Sequence, residues 1–289
     1  MLFYNTKIAI SDYICCMKIV ENYNNTWRKV ASVVYKKPID SKILGSVEID
    51  VTDTESFITQ CRRDGLKITL THIVVLIISR ALKEEVPEFN AYVKRGRIIP
   101  RKQIDASVSV LIKDSEMSSI KISNADTMTL SELVEEMSGN IKSSRKGKEN
   151  ETMKSKKFIA ALPWPFRGMF FTLYRKVTID WGITIPFFGV NSDSFGSFLI
   201  SNIGTFGLDV GYPALFPNAN LSLVVIVGGL HDKPWVVDNK IIPRRILTIS
   251  VAIDHRIADA QHGGMLFRYL KRKIVNPAEL LDKPSWVKT

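Results

Sequence analysis

Six consecutive apolar residues, Ile73-Val74-Val75-Leu76-Ile77-Ile78, constrain the fold of this chain most. Ile73, Val74, Ile77, Ile78 and Ala81 recur at helical spacing, and Pro87 stops the run. A helix this apolar has to be covered by other elements. It is also far short of the ~20 residues that a membrane-spanning helix needs. The chain therefore builds a core around it. With 289 residues, 45% hydrophobic and 24% charged, it has the material for one large domain or two small ones. No repeat of roughly 20–50 residues is visible, which excludes solenoids and propellers.

Other patterns sort into short strands and long helices. Thr26 caps a helix striped by Val30 and Val33-Val34 and ended by Pro38. Residues 46–51 alternate polar and apolar as a half-buried strand does, and a helix carrying Phe57, Ile58 and Cys61 ends at Asp64-Gly65. Strands are expected at 97–100 and 107–112, followed by a capping box, Thr129-x-x-Glu132, that opens a helix with Leu133, Val134, Met137 and Ile141. The polar run 143–150 reads as an exposed loop or the frayed end of that helix. Three more strands follow at 197–203, 221–228 and 248–254, then a last helix over 258–275. Without regular βαβ alternation, these elements predict an α/β (α+β) two-layer sandwich, a mixed sheet with flanking helices.

Residues 1–26 read as a leader poorly committed to structure, with Met1 or Met17 as the start, and 27–289 as the domain proper. Lys7 and Asp12 interrupt any secretory apolar stretch. Cys15, Cys16 and Cys61 are odd in number and lack metal-ligand spacing, so a reduced, cytoplasmic compartment and no metal are expected. The net charge of +11 is dispersed over Lys36-Lys37, Arg62-Arg63, Lys94-Arg95, Arg244-Arg245 and Lys271-Arg272-Lys273. These are solvated faces or a basic rim for a phosphorylated cofactor or an acidic carrier domain; no nucleic-acid signature accompanies them. The stretch 158–190 is rich in aromatics, among them Phe158, Trp164, Phe166, Phe170, Phe171, Tyr174, Trp181, Phe187 and Phe188. A membrane-surface helix is one reading of it. Packing on the domain's own core, or lining a pocket or subunit interface, is preferred.

Of four histidines, His72 lies on the core-forming helix, His231 follows Gly228-Gly229-Leu230 in a turn, and His262 precedes Gly263-Gly264 as a surface residue. His255 differs. It stands where Ile249, Val251 and Ile253 end a strand, inside Asp254-His255-Arg256-Ile257-Ala258-Asp259, so it is placed for a cleft, or else for an ion-pair cluster at a strand–helix junction. Ser201-Asn202-Ile203-Gly204 ends another apolar strand: the hydroxyl is a hydrogen-bond donor for a cleft and Gly204 allows close backbone approach, although all three residue types are routine in turns.

The two motifs, 54 residues apart, together resemble the D-H-R-x-x-D-G and S-N-L-G motifs of the catalytic domain of 2-oxoacid dehydrogenase acyltransferases, a fold shared with chloramphenicol acetyltransferase. Arg28-Lys29-Val30-Ala31 is similar to the family's R-x-I-A, Val86-Pro87-Glu88-Phe89-Asn90 to its V-P-x-x-N, and Ile122-Ser123-Asn124-Ala125-Asp126 to its R-N-A-D turn; Asn218 stands at its asparagine–proline turn. Ala260 replaces the motif's final glycine, and 143–190 is longer and more aromatic than usual. The match begins almost at once, so no lipoyl or subunit-binding domain, and no covalent lipoyl group, is expected on this chain.

The resemblance implies an acyltransferase using coenzyme A and a thiol such as dihydrolipoyl, supplied by a separate lipoyl-carrier protein. It implies His255 as general base, Ser201 as oxyanion donor, and Asp259 as a brace of the His255 loop paired with Arg28 or with Arg256. Asn202 and Gly204 would support the substrate site. It further implies a homotrimer with sites between subunits; the tail Ser285-Trp286-Val287-Lys288-Thr289 lacks the apolar end that joins trimers, so assembly is expected to stop there. A catalytically silent scaffold of the same fold is the alternative.

Overall fold

The computed structural model describes residues 41–111, 117–145, 166–183, 195–216 and 219–287. The leader, the Thr26 helix, Arg28, Asn218, Cys15, Cys16, residues 146–150 of the polar run and the aromatics Phe158, Trp164, Phe187 and Phe188 lie outside them. In chain order the principal elements are β1 (Lys42–Asp50), α1 (Thr52–Arg63), α2 (Leu70–Glu84), β2 (Ala91–Lys94), β3 (Arg97–Pro100), β4 (Ala106–Leu111), β5 (Met117–Ile122), α3 (Leu130–Arg145), α4 (Phe166–Arg175), β6 (Phe198–Asn202), β7 (Leu223–Val237), β8 (Lys240–Asp254) and α5 (Ala260–Ile274).

Six strands form one mixed sheet in the order β1-β8-β7-β6-β4-β5, and β2 pairs with β3 alone. β6 runs parallel to β4 and β7; the other neighbours are antiparallel. The two-residue period decides the layers. Phe198 and Ile200, Leu223, Val225 and Val227, and Ile249, Val251 and Ile253 point to one face, where they bury α2 together with residues of α1, α3 and α5. Every residue of α2 from Ile73 to Ile78 is fully buried, as its apolar run requires. The opposite face carries Leu199, Val224 and Ala252 beneath Leu215, Ala219 and Leu221. The expected two-layer mixed architecture is what forms.

β2 and β5 are not among the expected strands, and β7 and β8 run longer than expected. β5 is an edge strand in which Ser118, Ser119 and Lys121 are interleaved with the buried Ile120 and Ile122, held by its register against β4. β7 continues far beyond Gly228-Gly229: the glycines make a bulge between Val227 and Leu230, and the hairpin closes only at Asp238 and Asn239, with φ of 49° and 59°. His231 therefore sits in a strand, opposite Ile246, and not in a turn.

Candidate active site

β6 delivers the first motif. Its alternation sends Ser201 to the face away from the helices and returns Asn202 toward them, where Nδ2 donates to Thr71 Oγ1 at 3.0 Å. The Ile203 amide then donates to Val227 O at 2.9 Å, and a 3₁₀ turn begins at Gly204. A Cβ on Gly204 would lie 2.5 Å from the carbonyl oxygen of Gly228, so the close backbone approach demands glycine. Thr71, the partner of Asn202, escaped the sequence reading; its position at the capped start of an apolar helix was the available signal.

The second motif is held by backbone and charge. The Asp254 amide donates to Ser222 O at 2.9 Å and the His255 amide to Ser41 O at 2.6 Å, and the turn closes with Ile257 N–H on Asp254 O at 2.9 Å. Arg256 folds back on Asp254, its Nε 2.9 Å from Oδ1 and its Nη2 2.5 Å from Oδ2. Both side chains are buried, and the two-pronged geometry suits a guanidinium–carboxylate pair. Arg256 is thus the partner of Asp254; Arg28, the partner that the resemblance suggests first for Asp259, with Arg256 as its competitor, lies outside the described residues. The carboxylate two residues back takes Arg256 because it lies within the same tight turn.

Asp259 instead opens α5. Its amide donates to His262 Nδ1 at 3.0 Å in a capping box, so His262 braces a helix start. Ala260 is the first helical residue, exposed and without positive φ; the missing glycine leaves no strained backbone there.

The His255 side chain is 28% exposed. Its Nδ1 lies 3.1 Å from Ala258 O and 3.2 Å from Asp259 Oδ1. A carbonyl and a carboxylate are acceptors, so Nδ1 carries the hydrogen and Nε2 of the neutral ring keeps its lone pair. His72 has the reverse arrangement. Its Nδ1 accepts the Thr69 amide at 3.1 Å, and burial holds its pKa down to about 4. His231 Nε2 meets Asp209 Oδ1 at 2.5 Å on the surface.

The register separates the two motifs within one chain. Ser201 pairs with Ile226, whereas Ile253 pairs with Leu223, which sets His255 level with residue 221. Five residues of β7 correspond to about 17 Å at the usual strand rise. One substrate thioester cannot touch both side chains of the same chain.

The remaining matched turns are structural. Asn90, on the turn Pro87–Asn90, accepts from Ser197 Oγ at 2.6 Å. Asn124 is left-handed with φ of 51°, and its amide donates to Asp105 Oδ1, while Asp105 Oδ2 pairs with Lys121 at 2.8 Å. Burial pushes the neighbouring Asp126 carboxyl up. Of the aromatic stretch, Phe166 and Trp181 are exposed and do not join the core. Among the described residues no helix is long and apolar enough to cross a membrane, and no group of three or more His, Cys, Asp or Glu is placed to hold a metal ion.

Comparison with known proteins bears on the family and the fold. The family model described as 2-oxoacid dehydrogenases acyltransferase (catalytic domain) matches residues 17–159 and 192–282. The dihydrolipoyllysine-residue acetyltransferase component of the pyruvate dehydrogenase complex of Rickettsia bellii is 27% identical over 215 residues, covering 74% of this chain and 41% of that protein. Its counterpart in Acholeplasma laidlawii is 33% identical over 110 residues, 38% of this chain and 18% of that protein. The chain thus matches less than half the length of either relative. A truncated catalytic core of the 2-oxoacid dehydrogenase multienzyme complex from Thermoplasma acidophilum superposes with a TM-score of 0.60 at 20% identity, over 88% of this chain and 96% of that one. The cubic core of the pyruvate dehydrogenase multienzyme complex gives 0.60 at 18% identity, over 92% and 91%. Motifs, sheet order and family match together make this chain a member of the 2-oxoacid dehydrogenase acyltransferase family, through its catalytic domain.

Proposed function

We propose that the chain transfers an acyl group between coenzyme A and a second thiol of the dihydrolipoyl kind, carried by a separate protein. The observation that carries the reading is the pair of acceptors on His255 Nδ1, which leaves Nε2 as the proton acceptor. Nε2 takes the proton of the incoming thiol, and the thiolate forms a new bond to the thioester carbonyl carbon. Ser201 Oγ–H donates to the oxyanion that results. As the tetrahedral centre collapses, the old carbon–sulfur bond breaks and the imidazolium returns its proton to the departing thiolate. Asp259, 3.2 Å from Nδ1, orients the ring and steadies its charged form.

The ~17 Å between the motifs along the strand direction supports a shared site, with His255 of one subunit facing Ser201 of the next in a trimer. Purified protein with acetyl-CoA and dihydrolipoamide should turn over, and His255→Ala should lower kcat about 10²–10⁴-fold with the oligomer unchanged. Equal turnover by the two proteins would sink the role of His255, and no turnover by the wild type would favour a silent scaffold. Ser201→Ala should cost about 10²–10³-fold. Mixed and reassembled with His255→Ala, it should regain about a quarter of the sites, as a ring of heterologous interfaces requires. No regain would place both side chains in one subunit's site and contradict the register.

A further inference from the structure

The segment between the two family-matched stretches, 160–191, holds α4 and a π-helical turn at Lys176–Asp180. Thr178 and Ile179 are buried and Tyr174 is half-buried, so the element is pinned to the body from one side. Phe166, Met169 and Leu173, which share one stripe at helical spacing, are 60%, 67% and 60% exposed. Trp181 and Ile183, just after the π-helical turn, are exposed as well.

Cations gather at the Trp181 end. Lys176 Nζ stands 5.8 Å above the Trp181 ring, Arg95 Nε donates to Trp181 O at 3.1 Å, and the Lys94 stem packs on Gly182. The adjoining β2–β3 hairpin forms an open cleft of about 490 Å³ lined by Tyr92, Lys94, Arg95, Arg97 and Ile99. Bulky apolar side chains thus project from a convex helix beside a cationic cleft of headgroup size. A partner helix would need an apolar groove; the cleft beside α4 presents cations.

We infer that this face docks on the surface of an anionic phospholipid bilayer. The stripe enters the acyl boundary, Trp181 and Tyr92 lie at headgroup depth, and Lys94, Arg95, Arg97 and Lys176 meet the lipid phosphates. This docking is independent of acyl transfer, and its test leaves that reading untouched.

The full chain is sedimented with phosphatidylcholine vesicles with and without phosphatidylserine. It should pellet with the anionic vesicles only, and added salt should release it. Leu173→Asp with Met169→Asp should abolish pelleting while the circular dichroism spectrum is kept. Lys94→Glu with Arg97→Glu should weaken it at least about 25-fold, at about fivefold per cation lost. Wild-type protein that ignores both vesicles, or binds both equally, overturns the inference. So does a smaller oligomer for the aspartate variant, since another copy then covers the face. A raised KM for coenzyme A in the glutamate variant, without vesicle binding by the wild type, assigns the cations to substrate phosphate and equally overturns it.

Discussion

The start of α2 and the turn before α5 each carry a histidine within a few residues of a helix N-terminus, and they use it in opposite ways. At His72 the amide of Thr69 points at Nδ1, the ring is buried, and its pKa falls to about 4. At His255 a carbonyl and a carboxylate occupy the same nitrogen. The first imidazole is a neutral brace that accepts a capping hydrogen bond. The second donates through Nδ1, which leaves the lone pair on Nε2. Residue type is shared; the partner on one ring atom separates structure from chemistry.

The contrast breaks most severely at Arg256. Arg256→Ala leaves the Asp254 carboxylate buried without its two-pronged partner, and urea unfolding should show a loss of about 3–5 kcal/mol. An unchanged midpoint would mean that the ion pair does not hold the turn presenting His255. Next in size is the acid response of His72. Above pH 6.5 both the folded and unfolded states hold this ring neutral. Between pH 6.5 and about 4 the unfolded chain takes a proton that the folded site refuses, so stability falls as pH falls. The lost stability amounts to roughly 3 kcal/mol. His72→Gln keeps a capping box and removes the titration, and its stability at pH 4.5 should exceed that of the wild type by most of this amount. The smallest effect belongs to Thr69→Ala, which removes one side of the α2 cap and should cost about 1 kcal/mol in thermal unfolding. Nitrogen-15 spectra sharpen the comparison directly: Nε2 should carry the hydrogen in His72, and Nδ1 should carry it in neutral His255.

Legibility followed the same division between local and distant partners. The Thr129–Glu132 capping box forms as written, with Thr129 N–H on Glu132 Oε2 at 2.8 Å, because both residues lie within one turn. The strand through Ile249, Val251 and Ile253 forms because these apolar residues recur at period two and face the helices, while the alternate positions are buried on the opposite side. β5 was not legible, since Ile120 and Ile122 give only two buried positions at period two and the strand takes its place from the register of β4. The Gly228-Gly229 pair reads as an end in sequence, yet the approach of Gly204 and Asp209 makes it a bulge inside a longer strand.

By itself the amino-acid order determined the buried helix, the two-layer class and the two motifs, because periodicity, caps and turn chemistry act over neighbouring residues. Tertiary structure decided that Arg256 serves Asp254, that Asn202 reaches Thr71, that His255 Nδ1 faces two acceptors, and that Ser201 stands five residues of β7 from the level of His255. Those outcomes depend on which groups the sheet register and the packing of α2 and α5 bring within hydrogen-bond reach, and that reach is set in three dimensions.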